Sequence, residues 1–228
     1  MKRSNMFKVG AAVVALAMSS ATVAKVLVVR AAGPSAKMYP RGKALPDSAK
    51  IQLQAGDSVM LLKPDGTRML RGPGTFALAA AGGGGAGKAI NRRARFSALR
   101  SGATRLNPSP WNLDVTQSGK LCVVDASKLK LWRPEPDAAI QLTVKGRTGE
   151  QTIEFPAGTD TIAWPTSLPI TSGAEYQLSA PDSGDTARVT FVTVQNPPSD
   201  SIGTAQTFIA NGCENQLDVL VEASPSVD

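Results

Sequence analysis

The stretch AGGGGAGKAINRR places Gly82 to Lys88 in the spacing G-x-x-x-x-G-K. In a phosphate-binding loop that spacing lets backbone N–H groups cradle a nucleotide while the lysine reaches its phosphates. The next position must then carry a hydroxyl for magnesium, and here it is Ala89. Such a loop also needs a buried strand before it, a helix opening at the lysine and an acidic residue to close the metal shell. Four consecutive glycines, Gly82 to Gly85, read instead as flexible chain. The stretch is expected to be a linker, with no nucleotide bound.

Other chemistry is equally constrained. The chain has no histidine, which removes Ser-His-Asp and Cys-His catalysis and histidine-based metal hydrolysis. Ser127 and Lys130 have S-x-x-K spacing, but the motifs that accompany it in serine–lysine acylation are missing. The carboxylates Asp114, Asp125, Glu135, Asp137, Glu154 and Asp160 fall in turns or at outward strand positions. No two are marked as facing one cleft, as glycoside hydrolysis requires. The residues predict a protein that is not an enzyme and holds no metal or cofactor.

The N-terminus reads MKRSNMFKVGAAVVALAMSSATVAKVLVV. Lys2, Arg3 and Lys8 precede an apolar run from Val9 to Met18, and small residues follow to Ala24. This is the layout of a secretory signal peptide over residues 1–24, cleaved after Ala24 or Ala21. The apolar run is shorter than the ~20 residues a spanning helix needs; retention as an uncleaved anchor is the alternative. No later segment is long and apolar enough to span, so the mature chain is expected to be soluble, periplasmic or otherwise exported.

Export bears on the two cysteines. In an oxidising compartment Cys122 and Cys213 are expected to pair, being too far apart in sequence for a C-x-x-C redox centre and too few for zinc. Closing a loop of that length stabilises the fold by roughly 4–5 kcal/mol through lost chain entropy.

Charge is unevenly placed. Lys25 to Arg100 carries 14 basic and three acidic residues, whereas Ser101 to Asp228 carries eight basic and 15 acidic ones. Such asymmetry steers anionic partners to one half or draws the two halves together. Few aromatics and export argue against nucleic acid.

The elements expected to position these residues are mainly β. Ile51 and Leu53, then Val59 and Leu61, alternate with polar neighbours, and Gly56-Asp57, Pro64-Asp65-Gly66 and Arg71-Gly72-Pro73-Gly74 supply turns. The sequence LQAGDSVMLLKPDGTRMLRGPGTF resembles the core of FecR-like domains, with their glycine-aspartate turn, hydrophobic strand and second turn into another strand. That resemblance, over residues 25–78, implies a FecR-like β-domain. FecR proteins couple an outer-membrane signal to a cytoplasmic sigma factor through a membrane span and a cytoplasmic tail, neither of which this chain carries beyond its signal peptide.

Residues 79–109 form the glycine-rich and basic linker. Within it, Lys88 to Leu99 fits a marginal amphipathic helix or a strand, and Arg92, Arg93, Arg95 and Arg100 are candidate contacts for an anion or a partner. The two flanking halves are expected to fold independently. Over residues 110–196, short apolar runs at 8–12-residue spacing fit a two-sheet β-sandwich, with Trp132 and Trp164 closing strands over its core. FPAGTDTIAWPTSLPITSGAEYQLS resembles the later strands of immunoglobulin-like bacterial surface domains.

After Pro197-Pro198 the period changes. Phe208, Ile209, Cys213, Leu217 and Leu220 define one apolar helix face, from about Ser201 to Glu222 within residues 199–223. Ser199, Asp200 or Ser201 caps it. The helix is expected to dock on the sandwich, stapled through Cys213 to Cys122.

Together these features predict a non-catalytic envelope binding or scaffold protein of unknown ligand whose partner is an envelope protein, with envelope signalling as its context. The alternative is a structural component that binds anionic cell-wall or lipopolysaccharide groups through its basic half. The mature chain is expected to begin at Lys25, or at Thr22 for the earlier site. N-terminal sequencing of the exported protein checks this, and a cytoplasmic pool retaining Met1 contradicts it.

Overall fold

The computed structural model describes residues 26–79, 105–180 and 184–227. The proposed signal peptide, the Gly82–Lys88 spacing and Arg92, Arg93, Arg95 and Arg100 lie outside the described residues. The described chain is mainly β, with two helices near its C-terminus.

Six strands build the first half: β1 (Val26–Ala32), β2 (Ala44–Leu45), β3 (Lys50–Leu53), β4 (Ser58–Lys63), β5 (Gly66–Arg71) and β6 (Gly74–Ala77). A four-stranded sheet in the order β2-β1-β4-β5 is accompanied by the two-stranded β3-β6 sheet. The Pro64-Asp65 turn joins β4 to β5, with Lys63 opposite Gly66. Apolar alternation puts Val28, Leu61, Ile51 and Leu53 into one core between these sheets. The run Val26–Val29 is apolar at every position because both faces of β1 are covered. Period-two alternation puts Val26 and Val28 on one face and Leu27 and Val29 on the other, and the register with β4 shifts between Val28 and Arg30.

The second half contains β7 (Leu113–Asp114), β8 (Gly119–Val123), β9 (Lys130–Trp132), β10 (Ile140–Gly146), β11 (Gly149–Phe155), β12 (Thr161–Ala163), β13 (Glu175–Ala180) and β14 (Asp185–Thr193). They form a five-stranded sheet, β11-β10-β13-β14-β8, and a three-stranded sheet, β12-β9-β7. Side chains of both sheets meet in one apolar core that includes Leu131, Leu142, Leu178 and Phe155. Trp164, Tyr176 and Phe191 pack edge to face or tilted within it, with ring centroids 5.1 to 5.7 Å apart. Trp132 ends β9 and Trp164 follows β12, both buried.

The expected single C-terminal helix is two. α1 (Ser201–Asn211) and α2 (Glu214–Ala223) are separated at Gly212-Cys213. Asp200 caps α1, its carboxylate accepting from Gly203 N–H at 2.8 Å. Gly212 adopts a left-handed φ of 72°, its N–H bonding Ile209 O while Cys213 N–H bonds Phe208 O at 2.9 Å. Those two bonds make a Schellman stop. The apolar period runs on through the break, and so conceals it: periodicity records which residues face inward, not whether the backbone stays helical.

The helix pair does not dock on the sandwich alone. Leu27, Val29 and Leu62 from the first half join Cys122 from the second and Ile202, Ala205, Phe208, Leu217 and Val221 from the helices in a third buried cluster. Burying one such large side chain is worth about 1.5–3 kcal/mol. Arg30 pairs with Asp218 at 2.6 Å, and Arg41 pairs with Glu214. Beyond α2 the chain returns to the first sheet, where Thr67 N–H bonds Pro225 O at 2.7 Å and Val227 N–H bonds Thr67 O at 2.8 Å. In the folded chain the two halves are thus in contact through the helices, each supplying one wall of the cluster around them.

Proteolytic cleavage between residues 80 and 102 is expected to leave both fragments associated. Size exclusion without denaturant checks this, since the disulfide lies wholly within the second fragment; separate elution means that the shared cluster does not hold.

Candidate functional site

β8 is an edge strand of the five-stranded sheet, and an edge exposes backbone donors and acceptors that burial penalises unless they are paired. At Cys122 the partner is a side chain. Gln216 on α2 accepts from Cys122 N–H at 2.6 Å and donates to Cys122 O at 3.0 Å and to Pro110 O at 2.8 Å. Its carboxamide thereby imitates the peptide group of an adjoining strand. Cys122 and Cys213 are joined beside it, with Cα atoms 5.9 Å apart and both residues buried. One residue of β8 is thus tied to α2 by a covalent bond and two hydrogen bonds.

Two further edges are closed by different means. The Tyr39 hydroxyl accepts from Gln52 N–H at 2.9 Å and donates to Gln52 O at 3.1 Å, closing β3. Residues 225–227 run parallel beside Thr67 and pair with β5 at that one residue. Gly66 has no side chain because a Cβ there would overlap the Pro225 carbonyl.

Two buried charges also hold loops. Asp57, in the glycine-aspartate turn, accepts from Ser35 N–H at 2.8 Å and Gln54 N–H at 2.5 Å. Burial pushes its carboxyl up, but the hydrogen bonds from Ser35 and Gln54 outweigh that and hold it below the ordinary aspartate range. Arg133 is 2% exposed and donates to the carbonyls of Thr159, Ala138, Pro136 and Pro156 at 2.7 to 3.2 Å. Desolvation lowers its pKa, opposed by the charges of Asp160 and Asp137. Its guanidinium lies 5.2 Å from the centre of the Phe155 ring.

The residues singled out for catalysis fall into separate structural tasks. Ser127 Oγ donates to Asp125 at 2.6 Å, and Lys128 rather than Lys130 pairs with that carboxylate at 3.2 Å. Hydrogen bonds from Ser127, then Lys128, hold the Asp125 carboxyl below its usual range. Asp114 accepts from Thr116 N–H and Oγ1, Asp160 accepts from Thr161 Oγ1 at 2.7 Å, and Glu154 is exposed on β11. Among the described residues, no three His, Cys, Asp or Glu side chains are grouped to hold a metal.

A shallow cleft lies beside the Cys122–Gln216 clamp, lined in part by Asn112, Asp114, Gln117, Lys120 and Asn215. Much of its polar lining bonds internally: Asn112 Nδ2 donates to Asn107 Oδ1 at 3.2 Å, and Asn215 Nδ2 donates to Ser118 O at 3.1 Å. It runs along the seam between α2 and the sandwich.

Comparison with protein families, curated proteins and solved structures finds no match to this chain. The arrangement must speak through its own geometry. Its most developed feature is the junction that locks sandwich, helices and first sheet together. Sequence reasoning identified the two cysteines but missed Gln216 and Tyr39. For Gln216 there was a signal, a polar residue three positions after Cys213 on the apolar helix face; for Tyr39 there was none.

Replacing Gln216 by Ala leaves buried Cys122 N–H and C=O without their partner. The expected loss is about 1–3 kcal/mol, measured as a lower urea midpoint with the disulfide intact. An unchanged midpoint removes the clamp from the account.

Proposed function

We propose that this is a non-catalytic binding or scaffold protein of a bacterial envelope, acting outside the cytoplasm by holding a partner protein on a rigid β-rich body. The observation that carries this reading is the shared cluster of Leu27, Leu62, Phe208 and Leu217, which fastens both halves and the helices to one another. A body so joined presents its surfaces in fixed relation, as a scaffold must. The Cys122–Cys213 bond suits an oxidising compartment. Among the described residues no helix is long and apolar enough to cross a membrane.

The FecR-like and immunoglobulin-like resemblances belong to the same reading. They supply an envelope-signalling context for the first half and a surface-domain context for the sandwich. In that context the partner is an envelope protein.

The second reading is an anion-binding structural component. It draws on Lys37, Lys50 and Arg71, exposed on the first half, and on Arg92, Arg93, Arg95 and Arg100. Against it, Arg30 and Arg41 are committed to acids of α2, so part of the charge asymmetry is spent inside the molecule.

Crosslinking in intact cells, followed by capture at rising salt, tests the two. A packed protein interface persists as ionic strength rises, whereas binding to an anionic polymer collapses as the charges are screened. Capture of one protein that survives high salt supports the scaffold reading. Retention on purified lipopolysaccharide that is lost in salt, with no protein captured, replaces it with the alternative.

A further inference from the structure

β11 stands apart from the edges described above. It is seven residues long, GEQTIEF, and forms the outer strand of the five-stranded sheet. Its pairing with β10 is continuous, from Ile140 opposite Phe155 to Gly146 opposite Gly149, with no register shift. It contains no proline and no lysine, two of the usual means of blunting an edge.

The direction of its free groups follows from the hairpin. Two residues, Arg147 and Thr148, connect β10 to β11. In such a hairpin the flanking pair exchanges backbone hydrogen bonds, and bonded and non-bonded pairs then alternate. Gly149, Gln151, Ile153 and Phe155 therefore bond to β10, whereas Glu150, Thr152 and Glu154 turn N–H and C=O outward. Thr143 Oγ1 and Thr152 Oγ1 approach to 3.4 Å, as side chains of a non-bonded pair do. Among the described residues, no hydrogen bond from another segment reaches those outward groups.

We propose that the β11 edge is a docking site for an extended, basic peptide segment of a partner protein, which adds to the sheet as a further antiparallel strand. This deepens the binding reading and rests on it. Main-chain hydrogen bonds at Glu150, Thr152 and Glu154 supply the attachment. Charge supplies the choice of occupant. Glu150 and Glu154 lie on one face of the strand, with Thr152 between them, and both are exposed. Lys145 already lies 3.4 Å from Glu150, while the residue opposite Glu154 is the neutral Gln141. The partner therefore places a lysine or arginine opposite Glu154, a polar or basic residue opposite Glu150, and an apolar residue beside half-buried Ile153.

The same charges disfavour a second copy of this chain. Antiparallel self-pairing centred on Thr152 sets Glu150 opposite Glu154 twice, and like charges directly opposite destabilise a sheet.

The test uses the full exported chain and two short fluorescent peptides, one alternating lysine with valine and the other glutamate with valine. The lysine peptide is expected to bind, and the glutamate peptide to bind at least about tenfold more weakly, the discrimination that 1.4 kcal/mol supplies. Backbone amides of Glu150, Thr152 and Glu154 are expected to exchange freely in the unbound protein and to gain protection with the lysine peptide. Thr152→Pro removes one outward N–H without touching the β10 ladder, so the variant folds and loses binding. Glu154→Lys folds and reverses the preference between the peptides.

Equal binding by the Thr152→Pro protein overturns the proposal, as does indifference to peptide charge. Amides at the three positions that are protected before any peptide is added overturn it too. A concentration-dependent dimer abolished by Thr152→Pro assigns the edge to a second copy and overturns the basic-partner claim. A protein partner captured equally well by wild type and Thr152→Pro refutes the edge while leaving the binding reading in place.

Discussion

The backbone of Cys122 is the constraint on which the assembly turns. It belongs to the edge strand of one sheet, yet it lies buried against α2, where unpaired backbone groups are costly. Gln216 satisfies both its N–H and its C=O, and the bond to Cys213 fixes the strand to the start of the same helix. The position of α2 follows from that tie. Once α2 is fixed, Asp218 and Glu214 stand where Arg30 and Arg41 of the first half can reach them. The hydrogen bonds and the disulfide set the geometry; burial of Leu27, Leu62, Phe208 and Leu217 supplies the larger stabilisation.

The helix break is part of the same geometry. A continuous helix would carry Cys213 and Gln216 along one axis from Ser201. The left-handed Gly212 instead redirects the chain, so α1 can cover the first sheet while α2 reaches β8. Few residues other than glycine accept that φ without strain. The disulfide joins the body at the turn, next to the backbone that bends.

Edge management organises the rest of the surface. A hydroxyl pairs with β3 at Gln52, a carboxamide with β8 at Cys122 and the C-terminal segment with β5 at Thr67. Each device satisfies the backbone groups of one edge residue. Against these, the unbroken edge of β11 is a difference in kind: a long strand whose outward groups face no described segment. Among the described residues, no such device lies along β11.

Much of this was legible in the sequence, and for physical reasons. Strand periodicity is local, so Ile51, Leu53, Val59 and Leu61 announce their buried face without any knowledge of the partner sheet. Turn chemistry is local too: the Pro64-Asp65-Gly66 hairpin follows from residue types. The absence of histidine bounded the chemistry, and a pair of cysteines with no competitor fixed its own partner. Charge asymmetry showed that the halves could attract but not which residues would meet. What the tertiary structure alone decided is the set of contacts between residues far apart in sequence. Gln216 meets Cys122, Tyr39 meets Gln52 and Thr67 meets residues 225–227, because each backbone group takes whichever donor or acceptor the fold brings within hydrogen-bond reach. The helical period could not reveal the break at Gly212, since inward-facing positions are preserved across it. Nor could it place the helices between two halves, for an apolar face specifies that it must be covered and not by what.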